Sequence, residues 1–154
     1  AAAAQADADS QRSASLTWRA PEGWRRGPEK PMRELTYFAG EGDAVECSVT
    51  LLAGDGGGVL DNLNRWCGQL GAAPLTDADL AGLERVPMAG SEGLLVRLER
   101  GPLATAAAGQ ELLLGAVCLL PDQALFVKLT GPRAAVEAQR AALVAFCRSL
   151  ELLP

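Results

Sequence analysis

Residues 111–120 read ELLLGAVCLL, and from Leu112 to Leu120 no polar residue interrupts the run. A strand with one wet face alternates, so an unbroken apolar run of this length argues for a central strand covered on both sides. Pro121 and Asp122 then make a tight antiparallel turn into a strand at residues 124–130. Upstream, AVECSVTLL (residues 44–52) sets Val45, Cys47, Val49 and Leu51 against Glu46, Ser48 and Thr50. That period of two marks a strand with one buried face, and a Gly-rich turn at residues 40–43 joins it to ELTYFA (residues 34–39) as a hairpin. Further strands are expected at residues 15–20, stopped by Pro21, and at residues 85–88 leading into 93–100. Residues 21–31 (PEGWRRGPEKP) read as an irregular loop.

After the glycines at 56–58 the period changes. Val59, Leu60, Leu63, Trp66, Cys67 and Leu70 recur at three and four, an amphipathic helix that Gly71 ends. Thr76 with Asp79 caps a shorter helix running to residue 83, and Pro132 opens a last helix whose stripe is Val136, Leu143, Phe146, Cys147 and Leu150. The fold class that follows is α+β: a mainly antiparallel β-sheet sandwiched by α-helices in a single domain over residues 15–154. Residues 1–14, AAAAQADADSQRSA, carry no apolar pattern and read as a flexible tail.

The 154 residues are 49% apolar and 21% charged, enough core material for one domain and too apolar for disorder throughout. No stretch approaches the ~18 apolar residues that a transmembrane helix needs. With no histidine in the chain, Ser-His-Asp and Cys-His catalysis and imidazole-bound metals drop out. Residues 1–40 hold six Lys/Arg and five Asp/Glu, and the remainder eight and fourteen, so the body repels nucleic acid. The Gly-rich loop before the first helix lacks the Lys-Ser/Thr of a phosphate loop, and acid pairs such as Asp77 and Asp79 sit where caps need them. We therefore expect no catalytic residues, no cofactor and no metal.

Cys47, Cys67, Cys118 and Cys147 show no C-x-x-C spacing. Two readings stand: four buried thiols, or at least one disulfide, with Cys67 to Cys147 the pair to test. The candidate partner-binding residues are Arg25, Arg26, Lys30 and Arg33 in the basic loop, and Asn62, Asn64, Arg65, Trp66 and Gln69 on the first helix. For the helix residues, fixing the neighbouring loop and recognising a partner are both open.

The motifs LTWRAPEGW, PMRELTYF, DNLNRWCGQL and FVKLTGPRAAVEAQRAALVAFCRSL resemble a family of uncharacterised exported bacterial proteins, often lipid-anchored, with PsbP-like domains. The resemblance covers residues 15–152 and marks Trp18, Trp24, Met32, Arg33, Asn64, Arg65, Trp66 and Gln69 as a recognition or framework set. It implies a non-catalytic extrinsic subunit or assembly factor bound to a membrane protein complex, photosynthetic or respiratory, on the periplasmic side. The Ala-rich start without Met fits the same expectation, since signal peptides are cleaved at small residues. The rival expectation is a carrier for a lipid, pigment or sugar, with a pocket between helix and sheet lined by Trp66, Phe126 and Phe146.

Overall fold

The computed structural model describes residues 11–154. Seven strands form one antiparallel sheet: β2 (Arg25–Arg26), β3 (Leu35–Ala39), β4 (Val45–Ala53), β8 (Gln123–Gly131), β7 (Leu112–Leu119), β6 (Ser91–Glu99) and β5 (Glu84–Met88), in that order across it. A small second sheet pairs β1 (Leu16–Thr17) with β9 (Glu151–Leu152). The helices are α1 (Val59–Leu70), α2 (Asp77–Ala81), α3 (Arg133–Ala138) and α4 (Arg140–Ser149).

The run that set the fold is β7, flanked by β6 and β8 and buried along nearly all its length. Its residues alternate between two cores. Leu112, Leu114, Ala116 and Cys118 join the larger one with Val136, Leu143, Phe146 and Cys147, whereas Leu113 and Val117 join Leu63, Trp66, Cys67 and Leu70. Thus α3 and α4 close one face and α1 packs on the other. At ~25 cal/mol per Å2 of apolar area, a strand with both faces buried contributes about twice what a half-wet strand does.

The α1 side is only half covered. The helix lies on β6 and β7, over Val96, Leu98, Leu113 and Val117. Across β8 and β4 that same face turns polar: the register sets Phe126 against Thr50, Lys128 against Ser48 and Thr130 against Glu46.

Helix α1 keeps the bounds that its periodicity predicts, and Gly71 closes it in the left-handed region at φ 66°. A Cβ there would sit 2.6 Å from Ala104 N, so close backbone approach as well as φ demands glycine. The capping box of α2 is present, with Thr76 N donating to Asp79 Oδ2 at 2.8 Å and Asp79 N to Thr76 Oγ1 at 3.3 Å.

Three expectations need correction. Arg25 and Arg26, read as loop, form the edge strand β2 against Phe38 and Tyr37. The last helix is two, broken at Gln139, whose carboxamide oxygen accepts from Trp24 Nε1 at 2.9 Å. Of the expected tail, residues 1–10 lie outside the described residues, while Gln11 accepts from Trp18 N at 3.0 Å and Ser13 Oγ from Leu16 N at 3.1 Å, so order begins before residue 15.

Candidate functional site

The basic loop is held rigidly. Gly27 N donates to Thr36 O at 2.8 Å and Glu34 N to Val49 O at 2.8 Å, so both ends are stitched to the sheet. Glu46 takes Arg33 at 2.9 Å and Lys30 at 3.5 Å. Between them, Arg33 N donates to Lys30 O at 3.3 Å, closing a turn with Pro31 second and Met32 third. Met32 has φ 66°, which makes this a type II turn with methionine where glycine belongs. The residue is 78% exposed, one of two large hydrophobic residues so displayed among the described residues.

The remaining basic residues serve the frame. Arg25 donates to the carbonyls of Gly40 and Gly42, holding the turn between β3 and β4. Arg26 lies over the rings of Trp18 and Tyr37, 5.4 and 5.8 Å from their centroids.

On α1, Asn62 Nδ2 donates to Asp55 O and Gly58 O at 3.1 and 2.6 Å, and its Oδ1 accepts from Arg65 Nη1 at 3.0 Å. Asn64 clamps the chain before α2: its Nδ2 donates to Leu75 O at 3.1 Å and its Oδ1 accepts from Leu75 N at 2.7 Å. Asn64 is therefore satisfied wholly by backbone, and Asn62 by backbone and the Arg65 guanidinium. Asn64→Ala is expected to cost roughly 1 kcal/mol in urea unfolding, the usual worth of a half-buried polar pair; no loss would return Asn64 to the surface set.

Four of the candidate partner-binding residues meet elsewhere, beside Phe126 of the expected carrier pocket. Arg33, Arg65, Trp66 and Gln69 line a cavity of about 210 Å3 between α1, the basic loop and the open half of the sheet. Its floor is Ser48, Thr50, Phe126 and Lys128. Trp66 and Phe126 meet edge to face at 6.3 Å, and the Lys128 ammonium lies 5.9 Å from the Trp66 ring centroid. Burial pulls the Lys128 pKa below its ordinary value, Arg33 pulls it further, and Glu46 opposes them. Sequence reading missed Lys128, Ser48 and Thr50. Their signal was present: Phe126, Lys128 and Thr130 share one side of β8, where a lysine among core positions is unusual.

Two expected constellations do not form. Phe146 belongs to the α4 core on the far side of the sheet from Trp66 and Phe126, so these three line no common pocket. Cys67 and Cys147 are likewise separated by the sheet, and all four cysteines are free and buried. A disulfide needs Cα atoms within about 7 Å, less than the ~10 Å between packed layers. Burial raises each thiol pKa, that of Cys147 to about 12, which keeps them as unreactive thiols.

No family model matches the chain, and no curated protein does. Among solved structures, a Bacteroides thetaiotaomicron protein superposes with a TM-score of 0.55 at 9% identity; the match takes in 90% of this chain and only 45% of that one. LpqN of Mycobacterium tuberculosis, involved in cell envelope biogenesis, gives 0.55 at 11% identity over 92% of this chain and 86% of its own. The cyanobacterial PsbP (CyanoP) of Synechocystis sp. PCC 6803 gives 0.49 at 13% identity over 91% and 94%. At such identities the two likenesses at 0.55 establish shared architecture alone: an α+β domain whose antiparallel sheet is covered by helices on both faces.

Proposed function

We propose that this chain is a non-catalytic accessory protein that docks on a membrane-associated protein complex from the extracytoplasmic side, through the loop that displays Met32. The supporting observation is the turn itself. A non-glycine residue in the left-handed region costs on the order of 1–2 kcal/mol, and here that strain holds an apolar side chain out in water. A stability optimum would put glycine there. Met32 suits a partner pocket, because an unbranched thioether adapts to an apolar socket. Exposed Lys30 beside it fits a socket with an acidic rim, and charge of that kind chiefly steers encounter. An envelope setting agrees with the role of LpqN in cell envelope biogenesis.

The test places a photo-crosslinking residue at position 32 and incubates the full chain with detergent-solubilised membranes of the source organism. Stoichiometric capture of one membrane complex, competed by the unmodified chain and not by Met32→Gly, is expected. Met32→Gly should fold at least as stably, since glycine takes that φ freely. Recovery of uncrosslinked protein alone in the aqueous fraction, or equal competition by Met32→Gly, would refute the docking role.

A further inference from the structure

The cavity beside α1 has a charge inventory that its surroundings do not explain. Among the described residues three cations line it, Arg33, Arg65 and Lys128, and no carboxylate does, in a chain with nineteen acids and fourteen Lys/Arg. Glu46, the acid that acts on Lys128, is bonded to Arg33 and Lys30. Lys128 makes no hydrogen bond or ion pair to any described residue, although it is half-buried. Ser48 sits directly opposite it across the β4–β8 ladder and is only 7% exposed. Its hydroxyl also lacks a partner among the described residues, and no fully buried side-chain polar atom there does, so that oxygen faces the cavity.

Removing an ammonium from water without a paired anion is costly, and the Trp66 ring at 5.9 Å returns only a small part of that cost. The apolar wall of the cavity is the edge-to-face pair of Trp66 and Phe126. At about 210 Å3 the space is below the ~300–1,000 Å3 of sites for drug-sized ligands. It suits a molecule of about one ring.

We propose that this cavity binds a small aromatic carboxylate, its anionic end between Lys128 and the Ser48 hydroxyl and its ring against Trp66 and Phe126. Arg33 and Arg65 at the rim raise the local anion concentration and exclude cations. The site is on the opposite sheet face from the α4 core and does not involve Met32, so it stands apart from the docking role.

The probes are benzoate and its neutral and cationic isosteres, benzamide and benzylamine, titrated into the full chain at fixed ionic strength with tryptophan fluorescence as readout. Saturable benzoate binding is expected, with both isosteres weaker by roughly tenfold or more. Lys128→Met should weaken benzoate by roughly tenfold and raise the melting temperature, since it replaces an unpaired cation by an apolar side chain of similar length. The sign with pH follows: the penalty of holding Lys128 charged is full below its lowered pKa and fades as pH climbs towards 10.5, so the gap in melting temperature closes at alkaline pH. Arg33, Arg65 and Glu46 are the charged groups around it among the described residues. Ser48→Ala, which alters no charge, should weaken benzoate several-fold and serves if the Met variant fails to fold. Benzamide binding within twofold of benzoate, no saturation, or an unchanged Lys128→Met affinity would overturn the assignment. Inorganic phosphate should compete poorly; competition as tight as benzoate would show that charge alone is read, and would overturn the aromatic part.

Discussion

Phe146→Ala is expected to lower the unfolding free energy by about 3–5 kcal/mol, the loss that follows when a fully buried ring is cut back to a methyl group. Phe146 is fully buried at the centre of a three-ring cluster, 5.2 Å from Trp24 and 6.0 Å from Tyr37. These rings fasten three separate parts of the chain. Trp24 leads into β2 and donates to Gln139 at the break between α3 and α4, while Tyr37, on β3, accepts from Trp18 Nε1 at 2.9 Å. Truncation leaves a hole that rings held by hydrogen bonds cannot easily fill, so the cavity cost adds to the lost transfer energy. For 154 residues this is a fall in melting temperature of roughly 10 °C. Urea unfolding measures it; a loss near 1 kcal/mol would mean that the cluster collapses and does not hold α4 to the sheet. The benzoate site, across the sheet, should keep its affinity in the folded variant.

The same cluster shows where sequence reading stops. The 3–4 spacing of Leu63, Trp66, Cys67 and Leu70 sets α1 with its bounds, and the alternation of Val45, Cys47 and Val49 sets β4 with its buried face. Each is a local pattern, set by how side chains leave one element. Strand β2 is two arginines long and has no period to read; it exists because β3 offers an edge. The break at Gln139 follows a hydrogen bond to a residue 115 positions away. Periodicity also says that a helix stripe is buried without saying against which face of a sheet. Cys67 with Cys147, and Trp66 with Phe146, pair equally well on helical stripes and lie on opposite sides. For the cavity, helix reading supplied Arg65, Trp66 and Gln69. Lys128 escaped because its exposure depends on how far α1 reaches across the sheet, a tertiary distance.

What lets α1 sit where it does is Gly115, and Gly115→Val carries the second large expected effect. The residue is in the middle of β7, with Lys128 opposite it on β8 and Val96 on β6. A Cβ at that position would fall 2.5 Å from Trp66 Cζ3 and 3.1 Å from Val127 O. The indole lies directly on the strand, and any side chain beneath it must lift it. Valine favours the strand conformation, so local propensity predicts a gain; the clash predicts a loss of about 3 kcal/mol, at the upper end for overpacking, and the clash should win. Lifting Trp66 also separates it from Phe126 and Lys128 and should abolish benzoate binding. The mechanism is separable from general damage by a double-mutant cycle with Trp66→Ala, which removes the ring that collides. If the collision is the cause, the double variant will be more stable than the sum of the two single losses by roughly 1–3 kcal/mol. Additive losses would place the cost in the β7 backbone and leave Trp66 with no special tie to Gly115.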